Sequence, residues 1–205
     1  MKNTVIGASW FLTLNYCEYK FYLQKVLHIK LPQTEDMLKG SSIHKQKEEK
    51  FIEKAEIGTW KKFLESEELT ISREVSLQKQ IGDVLLMGII DEIAIDKFSI
   101  SITDDKPKSY VYDSLKKQVF AYCFLFKQNF PTHKKLYGVL RNRDSGEIMW
   151  KEEYGKNSEE LFLTDFHRMR NVIFENETAI PTQNPRKCMA CQYKSLCKYS
   201  LAKQI

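Results

Sequence analysis

Long hydrophobic runs are missing from this chain of 205 residues. The longest, Val84 to Ile90, has seven residues and is interrupted by Gly88, far short of the roughly 20 needed for a membrane-spanning helix. No membrane span is expected. The amino terminus does not join a basic start to an apolar stretch ending in small residues, as a secretion signal does. The expected location is the cytoplasm. Glycine and proline are sparse, eight and five, and there is no Gly/Ser linker, low-complexity tract or internal repeat to separate independently folding halves. One domain over residues 1–205 is the natural reading. Missing motifs narrow the chemistry further. Without a Gly-x4-Gly-Lys-Ser/Thr phosphate loop, any ATP-driven motor must be another polypeptide. No Ser-His-Asp arrangement, His-Glu-x2-His pair or dinucleotide-binding glycine motif is present either.

Charge is only mildly unbalanced: 32 Lys and Arg against 27 Asp and Glu give +5. Its distribution says more. Residues 181–205 carry Arg186, Lys187, Lys194, Lys198 and Lys203 and no carboxylate, and residues 133–143 carry Lys134, Lys135, Arg141 and Arg143 and no carboxylate. Both segments offer charge to a polyanion, although solvated faces of a lysine-rich protein look the same.

The expected elements are mixed. Ser9 is placed to cap a helix reaching about Val26, with Phe11, Leu14, Cys17, Phe21 and Gln24 near one stripe. A second helix follows Gly40, capped by Ser41 or Ser42, and residues 56–68 read as a short acidic helix. Ile71–Gln80, Val84–Ile95 and Ser99–Thr103 are rich in β-branched residues and read as strands. Tyr110–Phe130 reads as a helix with an apolar stripe of Leu115, Val119, Tyr122, Phe126 and Phe130. Asp144-Ser145-Gly146 joins Lys135–Asn142 and Glu147–Tyr154 into a hairpin. Ser158 is expected to cap a last helix to about Glu175, followed by an irregular tail from Thr178.

Three of the five cysteines lie in that tail as Cys188-x2-Cys191-x5-Cys197, with Cys17 far away near the amino terminus. In a reducing compartment such clustering favours a metal over disulfides, because close thiolates repel unless a cation compensates them. Four thiolates suit zinc or a [4Fe-4S] cluster, and spacing alone leaves both open. Cys123, within a helix, reads as a small buried hydrophobe.

A second constellation runs through the strands: Asp91, then Asp104-Asp105-Lys106. Two carboxylates about a dozen residues apart are hard oxygen ligands for a divalent cation. Side chains in a strand alternate, so Asp104 and Lys106 share a face, and the lysine can position an attacking water beside the cation. His44 offers an imidazole to the same cation. Gln118 and Tyr122, four apart, share a helix face.

The ordered series Cys17, Gly40-x3-His44, Gly88-x2-Asp91, Asp104-x-Lys106, Gln118-x3-Tyr122 and Cys188-x2-Cys191-x5-Cys197 resembles the RecB-like branch of the PD-(D/E)xK nucleases, and among these the iron-sulfur CRISPR-associated exonucleases. The resemblance covers nearly the whole chain. It implies an α/β restriction-endonuclease-like core, a central mixed sheet flanked by helices, with an iron-sulfur module formed by residues 9–27 and 181–205. It implies that His44, Asp91, Asp104 and the main-chain carbonyl of Asp105 bind Mg2+ or Mn2+, that Lys106 is the catalytic lysine, and that Gln118 and Tyr122 support it and contact DNA. It implies Cys17, Cys188, Cys191 and Cys197 as ligands of a [4Fe-4S] cluster clamping the amino-terminal helix to the carboxy-terminal loop. The commoner Glu-x-Lys stands here as Asp104-x-Lys106, a shorter arm to the metal.

The expected activity is therefore a metal-dependent exonuclease on single-stranded DNA ends, processing DNA for CRISPR spacer acquisition with the CRISPR integrase as partner. A repair or recombination nuclease with no CRISPR connection uses the same motifs, and a non-catalytic iron-sulfur DNA-binding module uses the cysteines and the basic tail alone.

Overall fold

In the computed structural model, residues 4–32, 58–107 and 110–203 are described. His44 and the helix expected after Gly40 lie outside them.

The β-branched middle of the chain forms a six-stranded mixed sheet. The strands are β1 (Thr4–Gly7), β2 (Thr70–Ile81), β3 (Val84–Ile95), β4 (Ser99–Lys106), β5 (Lys135–Asn142) and β6 (Ile148–Glu153). Their order is β1-β3-β4-β5-β6, with β2 paired to β3. β1–β3 and β4–β5 are parallel; β2–β3, β3–β4 and β5–β6 are antiparallel. Around the sheet lie α1 (Trp10–Tyr16), α2 (Glu18–Lys25), α3 (Trp60–Glu65), α4 (Asp113–Asn129), α5 (Lys156–Ile173), α6 (Pro185–Met189) and a 3-10 turn at Leu201–Lys203. This is the α/β arrangement expected, a mixed central sheet flanked by helices.

α4 lies across β2 to β5, and α1 and α5 pack against it. Its stripe of Leu115, Val119, Tyr122 and Phe126 is buried as the periodicity requires. Phe124 and Phe162 stack between α4 and α5 with ring centroids 4.4 Å apart. No described helix is long and apolar enough to cross a membrane.

β3 divides its two sides among three neighbours. Thr4–Gly7 pair with Val84–Met87, and Ile100–Thr103 pair with Glu92–Ile95. Gly88 to Asp91 thus lie at the fork where β1 and β4 part. Burial along β3 changes parity at the same place: Val84, Leu86 and Ile90 are buried before it, Ile93 and Ile95 after it. On the β2 side, Arg73 faces Glu92 and Val75 faces Ile90. Glu74 takes φ 50°, an uncommon conformation for a residue with a Cβ and one that re-aims side chains at irregular strand positions.

The structure corrects several boundaries. The single helix expected from Ser9 to Val26 is broken at Cys17, which is extended (φ −169°, ψ 118°) and separates α1 from α2. Ser9 precedes α1 but its side chain makes no cap. Of the helix expected over 56–68, the described residues 58–68 are helical over Trp60–Glu65, where Thr59 accepts from the Lys62 N–H at 3.3 Å. β4 runs on through Lys106, so the Asp104–Lys106 segment is within the strand. α5 starts after Gly155, leaving Ser158 buried inside its first turn.

Candidate active site and cysteine cavity

The β4 alternation brings Asp104 and Lys106 together as the sequence requires: Lys106 Nζ lies 2.8 Å from Asp104 Oδ2. Across from them α4 supplies a short relay. Gln118 Nε2 donates to Tyr122 Oη at 2.9 Å, which turns Gln118 Oε1 toward Lys106 Nζ at 3.4 Å. Gln118 and Tyr122 are both buried. Gly88 lets this helix approach the sheet, because a Cβ there would stand 2.8 Å from the Tyr122 ring and 2.9 Å from Ala8 Cβ. The glycine of the Gly88-x2-Asp91 motif is thereby explained by close packing against the tyrosine of the helix motif.

Asp91 joins the site from β3. Its Oδ2 accepts the main-chain N–H of Asp105 at 2.7 Å. Asp104 is 2% exposed, and burial pushes its carboxyl up to about 6 against the pull of the Lys106 ammonium, with Asp91 adding to the rise. Burial, followed by the negative charge of Asp104, also raises the Tyr122 phenol, keeping it protonated.

The carboxylate of Asp105 points the other way. It accepts from Arg141 Nε at 2.8 Å and Nη2 at 3.3 Å on the opposite face of the sheet. Only its main chain belongs to the Asp104 side. Arg141, Glu92 and Arg73, which complete that rear network, were not singled out from the sequence as site residues. The alternation that puts Asp104 forward also puts Asp105 back, and this is the signal that could have found them.

Part of the charge in the basic segment 133–143 is committed within the fold. Lys134 Nζ donates to the carbonyls of Ser66 and Asp96, Lys135 pairs with Glu153, and Arg141 is committed to Asp105 and Glu92. Lys134 and Arg141 thus satisfy acceptors within the fold, while Lys135 and Glu153 pair at the surface.

Away from these carboxylates the cysteines converge. Cys17, Cys188, Cys191 and Cys197 line one cavity with Tyr16, Thr182 and Tyr193. Thr182 donates its N–H to Cys17 Sγ at 3.4 Å. The Cys197 thiol is raised first by burial and then by Cys17, Cys191 and Cys188. Cys123 is fully buried elsewhere, inside α4. Among the described residues, no group of three or more His, Cys, Asp or Glu forms a site that could hold a metal ion.

The chain ends are tied here by more than thiols. Tyr16 Oη donates to the Lys187 carbonyl at 2.6 Å, and Lys187 Nζ returns to the carbonyls of Asn15 and Tyr16 at 3.4 and 3.2 Å. Arg168 of α5 holds Glu18, whose Oε2 also accepts the Ile180 N–H at 2.8 Å. The helix break at Cys17 has its explanation in this geometry: the end of α1 is capped by Lys187, and the extended cysteine joins the cavity.

Residues 45–198 match the model of the PD-(D/E)XK nuclease superfamily. The chain belongs to the PD-(D/E)XK nuclease superfamily. A comparison with curated proteins gives no match. Among solved structures, a candidate exonuclease from Eubacterium rectale is 11% identical, with a TM-score of 0.57 over 96% of this chain and 89% of that one. The protein SSO0001 is 14% identical, with a TM-score of 0.52 over 98% of this chain and 89% of that one. At these identities the likeness is one of fold. The superfamily membership supplies the nuclease function, and the site just described gives it candidate residues in this chain.

Proposed function

We propose that this PD-(D/E)XK nuclease is a metal-dependent DNA exonuclease acting on single-stranded ends, with Asp91, Asp104 and Lys106 as its catalytic residues. The observation that carries the reading is the relay Tyr122–Gln118–Lys106–Asp104, a set of buried polar contacts converging on one lysine. The residues present suit a hard divalent cation. Asp104 is a desolvated carboxylate whose described contact is Lys106 alone, and Asp91 close by raises it further; two such oxygen donors are relieved by a cation. Asp91, Asp104, the main-chain carbonyl of Asp105 and His44 are the residues that would hold it. Bound there, Mg2+ or Mn2+ supplies Lewis acidity and neutralises charge gathering on the phosphate oxygens.

The protein's own residues do the rest. A lysine ammonium has three donors; Asp104 and Gln118 engage two, leaving the third to position the water that attacks phosphorus. Gln118 is held by Tyr122 and keeps Lys106 from swinging away. Tyr110 and Tyr112, 70% and 59% exposed on the connection from Lys106 to α4, offer ring faces on which unpaired bases can stack, which supports a single-stranded substrate.

The four cysteines are read as ligands of a [4Fe-4S] cluster. Four thiols that line one cavity offer each iron of such a cluster its own thiolate. The whole chain is then one nuclease domain with its iron-sulfur module at residues 9–27 and 181–205. The order of motifs from Cys17 to Cys197 supports a place among the iron-sulfur CRISPR-associated exonucleases and a role in preparing DNA for the integrase.

The test is cleavage of end-labelled single-stranded and duplex DNA by anaerobically purified protein with Mn2+, Mg2+ or chelator, beside Lys106→Ala. Metal-dependent shortening of single strands that falls by about a hundredfold or more in the variant is expected. Equal rates in wild type and variant would remove Lys106 from the mechanism and the reading with it.

A further inference from the structure

The backbone ladder stops where the two catalytic carboxylates stand. β3 and β4 are paired from Ile95–Ile100 to Glu92–Thr103 and no further, so no ladder pair joins Asp91 to Asp104. Side-chain contacts between the strands can hold these two residues at a fixed separation.

Behind the sheet a chain of four charges does so. Arg141 Nε and Nη2 engage Asp105 at 2.8 and 3.3 Å, and Arg141 Nη1 donates to Glu92 Oε1 at 2.7 Å. Arg73 Nη2 lies 2.5 Å from Glu92 Oε2. Glu92 and Asp105 are 5% and 4% exposed, and two guanidiniums against two carboxylates leave the chain neutral. Asp105 and Glu92 immediately follow Asp104 and Asp91. The guanidinium therefore bridges the two strands at the residues next to the catalytic pair, just past the end of their ladder. Arg141 itself sits at the register shift of β5, between Leu140 and Arg141.

Only a planar fork can serve both carboxylates from one side chain. Buried ion pairs repay their desolvation poorly as a source of stability, so fixing geometry is the better account of this one. Asp105 links the two faces: its side chain is held by Arg141 while its N–H holds Asp91.

We infer that Arg141 is a positioning residue: through Asp105 and Glu92 it sets the separation of Asp91 and Asp104, and with it the affinity of the site for a divalent cation. The inference rests on the nuclease reading above.

The experiment is Mn2+ binding to DNA-free protein, followed by electron paramagnetic resonance of the free ion, for wild type, Arg141→Lys and Asp105→Asn. Arg141→Lys keeps the charge but cannot bridge, and is expected to bind Mn2+ about tenfold more weakly. Asp105→Asn should weaken it in the same direction by less. Should Arg141→Lys fail to fold, Asp105→Asn decides. Unchanged Mn2+ affinity in the folded variants, even with a lowered Tm, overturns the inference by reducing the network to a structural tie. Wild-type protein that binds no Mn2+ overturns the metal-dependent nuclease reading itself, and the positioning role with it. Wild-type binding and cleavage beside unaffected variants sinks the positioning role alone.

Discussion

Asp105 donates its main-chain N–H to Oδ2 of Asp91 over 2.7 Å. One side chain thus crosses the fork between β3 and β4, fixing one carboxylate oxygen on protein. Asparagine can still accept this hydrogen bond through its amide oxygen but is a poor ligand for a hard cation. Asp91→Asn is expected to keep its Tm within a few degrees and lose cleavage by about a hundredfold or more. Asp91→Ala should lose both, with a destabilisation of about 1–2 kcal/mol from the unmade hydrogen bond. Thermal melts beside a cleavage assay separate the two effects, and an active Asp91→Asn would take the residue out of the metal site.

Asp104 makes the apo-protein's stability depend on pH in a definite direction. Its folded-state pKa is raised from 3.8 to about 6, so the folded form holds its proton after the unfolded chain has released it. Stability contributed by this group is present below about pH 4, falls between 4 and 6, and stays lost above 6. The loss is on the order of 2–3 kcal/mol. Asp104→Asn removes it. In chelator, the Tm advantage of the variant over wild type should be small at pH 4 and grow to its full value by pH 7. An advantage that is flat across this range would show that Asp104 ionises normally in the fold.

The tyrosine-glutamine pair is predicted to act as one unit. Tyr122→Phe removes the partner of Gln118 Nε2 and leaves the amide free to turn away from Lys106. About tenfold in kcat is expected from losing one buried hydrogen bond of about 1.4 kcal/mol. Gln118→Leu should cost a similar factor, and the double variant little more than either, because both break the same relay. Additive losses in that cycle would mean that the two residues serve different steps.

Gly88 offers a separate check on how the helix is seated. A methyl there would come within 2.8 Å of the Tyr122 ring and 2.9 Å of Ala8 Cβ. Gly88→Ala is therefore expected to destabilise by about 1–3 kcal/mol through overpacking, measured by urea unfolding, and to lower cleavage because it pushes the relay aside. Wild-type stability would show that the helix yields easily at this contact.

These contacts also show which parts of the site were legible in the sequence. Period-two alternation was enough to pair Asp104 with Lys106, and the four-residue spacing was enough to pair Gln118 with Tyr122, because each pair lies within one regular element. The strands and α4 followed from β-branched runs and an apolar stripe for the same reason. Where two elements meet, local pattern was silent. Thr4–Gly7 is four residues long and becomes a strand only by pairing with Val84–Met87. The break at Cys17 lies inside an apolar periodicity that continues from Phe11 to Phe21, and only the Lys187 and Thr182 contacts from the far end of the chain end the helix there. The basic run at 133–143 looked like a surface because composition cannot show that Lys134 and Arg141 have acceptors inside the fold.

The cysteines allow a prediction whose outcomes separate cluster, zinc and bare thiols. Hydrogen bonds from Tyr16, Lys187 and Arg168 already join the chain ends, so loss of one ligand should loosen this region without unfolding the sheet. Anaerobically purified wild-type protein is expected to be brown, with about four irons per chain. Cys17→Ser and Cys191→Ser should lose that colour and gain proteolytic sensitivity at residues 181–203. Cys123→Ser, in the core of α4, should keep the colour and instead lose global stability, because it buries a hydroxyl in an apolar site. One zinc per chain in a colourless wild type would replace the cluster by a single ion. Neither metal, with unchanged behaviour on Cys17→Ser, would leave the four thiols as packing alone.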